Sequence, residues 1–68
     1  MNRFAERVRE LRAEIGMSRA ELAKRVNVSE RLISYWENGK RECDFDMLLC
    51  LAELFSVSVD YLLGKGDF

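Results

Sequence analysis

Polar residues between positions 30 and 38 have the types and spacing to recognise another molecule through hydrogen bonds. Placed on a helix at about 100° per residue, they share one face, while Ile33, Trp36 and Glu37 share the other. The polar set is Glu30, Arg31, Ser34, Tyr35 and Asn38. Because this face can both donate and accept hydrogen bonds, it suits a helix lying in a groove of DNA, and we predict sequence-specific DNA binding.

Two short helices joined by a tight corner are predicted over about residues 18–38. Ser18 and Glu21 have the spacing of a capping box, which begins the first helix. Asn27 stands at the corner, where we expect a positive φ that Asn tolerates better than any residue but Gly. Ser29 is expected to cap the second helix, which runs to about Asn38. The inner face of the first helix is predicted to be Leu22, Ala23 and Val26.

Three further helices complete the predicted architecture, which contains five helices and no strand. Asn2 would cap the first, from Arg3 to Ile15, and Asp44 or Cys43 would cap the fourth, which ends at Phe55. Ser58 would cap the last, from Val59 to Leu63, and residues 65–68 would form a frayed tail. The predicted apolar sides are Phe4, Val8, Leu11 and Ile15 in the first helix, and Phe45, Leu48, Leu49, Leu51, Ala52 and Phe55 in the fourth.

The length of 68 residues predicts one domain, residues 1–68. No stretch approaches the ~20 consecutive apolar residues needed to cross a bilayer. The first ten residues alternate charges where a signal peptide would carry an apolar run. We therefore expect a soluble, cytoplasmic protein.

The net charge of −1 argues at first against a nucleic-acid partner, but its distribution does not. Residues 1–41 carry ten basic against six acidic residues, whereas residues 42–68 carry one against six. Attraction to phosphate is local, because charges farther away than about 8 to 10 Å are screened at physiological salt. A basic face with an acidic back is therefore compatible with DNA.

Cys43 and Cys50 are seven residues apart in a stretch that looks helical. That spacing is roughly 10 Å along a helix, beyond the ~7 Å limit for a disulfide. We expect two free thiols in a reducing compartment, with an intermolecular redox bridge as the alternative. The chain has no His, and a site completed by Asp44 and Asp46 would match no usual zinc pattern. No metal or cofactor is expected.

The stretches ELAKRVNVS, ISYWENGKR and LLCLAELFSVSVDYLLG together resemble the lambda repressor-like helix-turn-helix domains, the XRE or Cro/cI-type family of bacterial and phage regulators. The resemblance covers nearly the whole chain and implies an all-α, compact five-helix DNA-binding domain. Three residues depart from the family pattern. Asn27 replaces the usual corner Gly, Arg19 stands where a Gln commonly opens the second helix, and Cys43 takes the place of a common Pro.

The resemblance also implies roles for individual residues. The third helix would lie in the major groove, where Arg31 could donate to guanine and Glu30 could accept from cytosine. Leu32 would either touch a thymine methyl or be partly buried. The implied base-reading residues are Glu30, Arg31, Ser34 and Tyr35. The implied phosphate-binding residues are Arg19, Ser29, Asn38, Lys40 and Arg41, with Tyr35 also at a phosphate position.

Two of these assignments have simple alternatives. Acidic Glu30 is favourable in a first helical turn whatever it binds, and Lys40 and Arg41 could serve solubility alone.

Glu37, on the inward side, needs a partner, and the family pattern supplies Arg12, so we predict a structural Arg12–Glu37 ion pair.

A single small domain rarely binds one site with nanomolar specificity, so we expect a homodimer on a palindromic operator. Its contacts would come from the C-terminal helices, whose apolar stretch could equally be ordinary core: Phe55, Val57, Val59, Tyr61, Leu62 and Leu63. No pocket for a small-molecule effector is expected.

Two other classes of function compete with a DNA-binding regulator. A protein-binding module of the same fold is the serious one, because the acidic C-terminal half could serve a toxin, an antirepressor or another regulator. Such a module would have no need of Arg19, Lys40 and Arg41 around the outward face. An enzyme is the weaker one, since the chain lacks His and a glycine-rich phosphate loop and is too short to build a cleft.

Overall fold

The computed structural model describes residues 2–65, and within that range the chain forms five α-helices and no strand. They are α1 (Phe4–Glu14), α2 (Arg19–Val26), α3 (Glu30–Glu37), α4 (Phe45–Phe55) and α5 (Val59–Leu63). The predicted all-α architecture is confirmed, although α1 is one residue shorter at each end than expected. Residues 66–68 of the expected frayed tail and the first residue of the predicted domain lie outside the described residues.

Side-chain caps begin four of the helices. The side chains of Ser18, Ser29, Asp44 and Ser58 each accept a hydrogen bond from the backbone amide three residues further on. This satisfies an amide that has no partner inside the helix. Asp44, and not Cys43, therefore caps α4. At α1 the Oδ1 of Asn2 accepts from the amide of Phe4 at 3.0 Å. Asn2 therefore caps α1 as predicted, but it stands one residue before the N-cap position, which Arg3 occupies.

A left-handed residue ends each of these helices. The amide that follows it donates to a carbonyl five residues back at 2.8 to 3.0 Å, as in a Schellman ending. Three of the left-handed residues are glycines, but Asn27 has φ 60° and Ser56 has φ 56°. The positive φ of Asn27 was predicted. That of Ser56 was not, and it places a β-carbon in a conformation that L-residues adopt at a cost.

The core lies between helices that pack in pairs: α1 against α3 and α5, α2 against α3 and α4, and α4 against α5. Trp36 is buried in it, and its ring meets Phe4 edge-to-face with centroids 6.1 Å apart. The guanidinium of Arg7 on α1 lies 4.1 Å from the ring centroid of Tyr61 on α5 and joins these two helices by a cation–π contact. The other buried apolar side chains are Val8, Leu11, Leu22, Ala23, Val26, Ile33, Leu51, Ala52 and Leu62.

Three residues predicted to be core are exposed instead. Ile15 is 57% exposed because α1 ends before it, and it follows the last buried turn. Phe45 and Leu49, one turn apart on α4, are 85% and 59% exposed. Helix α4 is apolar on nearly all sides and packs against α5 and α2, but only Leu51 and Ala52 of it are fully buried. Hydrophobic spacing therefore could not select the buried face.

Within residues 2–65 we find no helix that is both long enough and apolar enough to span a membrane.

Candidate nucleic-acid interface

The corner between α2 and α3 fixes the orientation of the outward helix. Ala23 is 5% exposed, and its carbonyl accepts from the amide of Val28 at 2.9 Å. Asn27, with φ 60° and ψ 47°, turns the chain between them. The small side chain of Ala23 lets α3 approach α2 closely, and Ser29 then begins α3 immediately after the corner. The two helices therefore pack directly against each other.

The outward face of α3 has the predicted composition. Glu30, Arg31 and Asn38 are exposed, and Ser34 and Tyr35 are half-buried at its base. The side-chain amide of Asn38 donates to the Oγ of Ser34 at 3.3 Å, which orders the last turn. Leu32 is half-buried and packs against the core, so partial burial accounts for it without a thymine contact. The face offers donors and acceptors in successive turns.

Cations cluster where α3 ends. Gly39, with φ 74°, reverses the chain, and the amides of Lys40 and Arg41 both donate to the carbonyl of Tyr35, at 2.9 and 3.3 Å. The guanidinium carbon of Arg41 lies 5.8 Å from the centroid of the Tyr35 ring, a cation–π contact. Lys40 and Arg41 are both exposed. The structure therefore brings these two cations to the C-terminal end of the polar face.

The first turn of α2 carries a complete capping box. The amide of Ser18 donates to the Oε1 of Glu21 at 2.9 Å, and the amide of Glu21 donates to the Oγ of Ser18 at 3.1 Å. The hydrogen bond from the Ser18 backbone, followed by that from its side chain, lowers the pKa of Glu21. Arg19 is the first residue of this helix, and its side chain is 43% exposed. The positive end of the helix dipole favours an anion here.

Glu37 lies beneath the interface and is 1% exposed. Its Oε2 is 2.7 Å from the Nε of Arg12, and its Oε1 is 3.1 Å from the Nη2 of the same residue. Burial, the largest single effect, would raise the pKa of Glu37, but the hydrogen bonds from Arg12 and Arg19 together outweigh it, and the pKa is lowered. The hydrogen bond with Glu37 raises the pKa of Arg12. Glu37 is therefore held as a buried carboxylate.

A contact that sequence reasoning missed joins Arg19 to this carboxylate. The Nε of Arg19 donates to the Oε1 of Glu37 at 3.0 Å, so two guanidinium groups share one carboxylate. The Nη1 of Arg9 also reaches the backbone carbonyl of Glu37, at 3.3 Å. The signal in the sequence was the departure at position 19, where an Arg takes the place of the common Gln.

The nine predicted interface residues fall into four groups. Four lie on the outward face of α3, Ser29 and Asn38 cap its two ends, two follow its C-terminal end, and Arg19 begins α2 and reaches α3 through Glu37. The Oγ of Ser29 accepts from the amide of Leu32 at 3.1 Å, so its acceptor role is engaged in capping. Residues 2–65 contain no cluster of three or more His, Cys, Asp or Glu side chains that could hold a metal ion. Hydrogen-bonding groups bordered by cations suit base edges and phosphates.

Two short helices at a tight corner, the second exposing a polar face, define the helix-turn-helix class of DNA-binding domains. The sequence model of a helix-turn-helix family matches residues 8–62. The chain belongs to this family, of the XRE type, and has its lambda repressor-like fold.

Similarity to individual proteins agrees with this assignment. The chain is 39% identical over 64 residues to the HTH-type transcriptional regulator ImmR of Bacillus subtilis (strain 168), a match that covers 94% of this chain and 50% of ImmR. It is 42% identical over 64 residues to the repressor protein C2 of Salmonella phage P22, covering 94% of this chain and 29% of C2. It thus spans half or less of these relatives.

The crystal structure of the P22 c2 repressor protein in complex with a synthetic operator superposes with a TM-score of 0.85 at 36% identity. That superposition covers 93% of this chain and 96% of the other.

Proposed function

We propose that this chain is a sequence-specific, double-stranded DNA-binding transcriptional regulator, a repressor, that reads the major groove with α3 and its C-cap, over about Glu30 to Asn38. The observation that carries the proposal is the outward face of α3, polar along its length and followed at once by exposed Lys40 and Arg41. An α-helix fits the width of the major groove, where each base pair presents its own pattern of donors and acceptors. The helix-turn-helix is residues 18–38 of a single domain, residues 1–68.

Base reading is assigned to the exposed and half-exposed polar side chains of α3. Arg31 is fully outside the core, and its fork of donors can bind guanine O6 and N7 together. Glu30 precedes it and can accept from cytosine N4. The proposed base-reading residues are Glu30, Arg31, Ser34 and Tyr35.

Phosphate binding is assigned to residues on both sides of that helix. Lys40 and Arg41 lie beyond its C-terminal end, and Arg19 lies at the start of α2. Ser29 and Asn38 complete the set at the two ends of α3. These contacts set affinity and its salt dependence, whereas the α3 side chains set sequence choice.

We infer that two copies bind a palindromic operator, with half-sites about one helical turn, roughly 34 Å, apart. Dimer contacts are assigned to the C-terminal helices, α4 and α5. Within the expected apolar stretch Leu62 is fully buried, and its apolar neighbours Phe55, Val57, Val59, Tyr61 and Leu63 are half-buried. On these two helices the large exposed apolar side chains are Phe45 and Leu49 of α4, and these supply the proposed apolar contact.

The proposal places the protein in the cytoplasm, where it acts without catalysis and without a small-molecule effector. A purely protein-binding role is not favoured, because the relatives are regulators and one of the similar structures is an operator complex.

The test is to select binding sequences from random duplex DNA and to measure affinities at several salt concentrations, for the wild type and Arg31→Ala. A selected palindrome should bind at least about 10³-fold more tightly than random DNA. Arg31→Ala should relax the choice of one base pair per half-site at a cost of about 1 to 3 kcal/mol. The matched control is Arg25→Ala, an exposed arginine of α2 outside the proposed interface. No enriched sequence, or equal effects of both variants, would overturn the proposal.

A further inference from the structure

Arg19 hydrogen-bonds to Glu37 through Nε, and this leaves its two terminal Nη groups available for a ligand. Its Nε donates to the Oε1 of Glu37 at 3.0 Å, while 43% of its side chain remains exposed. Among the described residues its two terminal Nη groups make no hydrogen bond. A guanidinium is planar, so fixing Nε fixes the direction of both Nη groups. Arg19 is thereby oriented before any ligand arrives.

The carboxylate that orients Arg19 is itself rigid. Glu37 is 1% exposed, and Arg12 binds both of its oxygens, at 2.7 and 3.1 Å. Arg12 in turn donates through Nη1 to the carbonyl of Met17 at 2.8 Å, beside the start of α2. Because Arg12 already neutralises the single charge of Glu37, the charge of Arg19 is not cancelled. The cluster presents a net positive charge at its exposed member.

We propose that Glu37 is a positioning residue for DNA binding, which aims the guanidinium of Arg19 at a backbone phosphate beside the N-terminus of α2. The inference rests on the proposed DNA-binding function and adds to it a residue that touches no DNA. Glu37 belongs to α3, so the phosphate contact and the base-reading helix are linked through one carboxylate. Register along the phosphate backbone is therefore coupled to the position of α3 in the groove.

The substitution Arg19→Lys distinguishes the contribution of side-chain orientation to DNA affinity from the contribution of charge. An ammonium group keeps the charge but is one compact donor group, which can lie at Glu37 or at a phosphate and has no fixed fork. We expect Arg19→Lys to weaken operator binding by about five- to tenfold although the net charge is unchanged. Arg25→Lys, the same exchange at an exposed site of the same helix, should change affinity by less than about twofold.

The decisive measurement is the effect of Arg19→Lys on operator affinity in a protein that lacks the buried carboxylate of Glu37. Replacing Arg12 and Glu37 together by Met removes the buried pair with apolar side chains of similar length, an exchange that proteins often tolerate. In that background Arg19→Lys should cost less than about twofold, because arginine is no longer oriented. Fluorescence of Trp36, the single tryptophan, identifies conditions in which each variant is folded, and affinities are compared only there.

The salt dependence of operator affinity is a second test, because it would not change if Arg19 had a purely structural role. Arg19→Gln should reduce the slope of log affinity against log salt by about 0.9, the loss of one phosphate contact. An equal Arg19→Lys penalty in the presence and absence of Glu37, or an unchanged slope for Arg19→Gln, would overturn the inference. Failure of the wild type to select any operator would instead overturn the proposed function itself.

Discussion

Arg12 of α1 and Glu37 of α3 form a two-point ion pair that uses both carboxylate oxygens, with Nε 2.7 Å from Oε2 and Nη2 3.1 Å from Oε1. The side chain of Arg12 is 16% exposed and that of Glu37 is fully buried. The remaining Nη1 of Arg12 donates to the carbonyl of Met17. One guanidinium thus fixes the outward helix to α1 and closes the loop that leads into α2.

Removing Arg12 should destabilise the fold. Arg12→Ala leaves Glu37 buried with one remaining cation, Arg19, so we expect the free energy of unfolding to fall by about 3 kcal/mol. Urea unfolding followed by the fluorescence of the buried Trp36 measures the change. Arg25→Ala, at an exposed position, should stay within about 0.5 kcal/mol of the wild type. Equal stabilities of the two variants would show that the ion pair contributes nothing.

The contribution of Glu37 to stability should depend on pH. Its folded-state pKa is lowered from 4.5, so the folded protein holds the ionised form more strongly than the unfolded chain does. The stabilisation is therefore fully present above about pH 4.5 and is lost as the pH falls through the lower, folded value. The difference in unfolding free energy between wild type and Glu37→Gln should be constant near neutrality and shrink in acid. A difference that grew in acid would contradict this sign.

Replacing Ser56 with glycine should stabilise the fold. A φ of 56° is strained for a residue with a β-carbon but not for glycine, so Ser56→Gly should raise the free energy of unfolding by about 0.5 to 1 kcal/mol. Asn27→Gly, at φ 60°, should give a smaller gain because Asn tolerates this conformation better. Thermal unfolding of both variants tests the order. A loss of stability in Ser56→Gly would show that its side chain contributes more than its backbone conformation costs.

Most helix boundaries were predictable because their causes are local, although α1 is one residue shorter at each end than expected. Ser18 and Glu21 are three residues apart, and the positive φ of Asn27 follows from its place at the corner. The exposure of Phe45 was not predictable, because α4 is apolar around most of its circumference and only the packing of α2 and α5 decides which side is covered. The Arg19–Glu37 contact joins residues 18 apart in sequence and depends on how α2 meets α3, so spacing alone could not reveal it.

The two cysteines should differ in reactivity. Cys50 is exposed, whereas Cys43 is half-buried, and burial raises its pKa to about 11. Since the thiolate is the reactive form, a thiol reagent at about pH 8 should modify Cys50 first and Cys43 slowly. Mass spectrometry after brief alkylation identifies the modified residue. Cys50→Ser should leave the folded protein nearly inert, with full modification restored in urea, and rapid labelling of that folded variant would contradict the burial argument.

Phe45 and Leu49 should govern self-association rather than folding. Both are largely exposed and one turn apart on α4, so replacing them with Ser removes an apolar surface without opening a cavity. The double variant should keep the unfolding free energy of the wild type within about 0.5 kcal/mol. We expect it to sediment as a monomer at concentrations where the wild type associates.

Cooperative binding to the operator distinguishes a dimer contact through Phe45 and Leu49 from a general effect of these side chains on solubility. A pair of half-sites should bind the wild type cooperatively and the double variant as two independent monomers, while a single half-site should bind both proteins equally. Ile15→Ser removes a similarly exposed side chain, 57% accessible at the end of α1, and should leave cooperativity intact. If both proteins bind the two half-sites with the same cooperativity, the copies do not meet through α4, and the dimer contact must lie elsewhere.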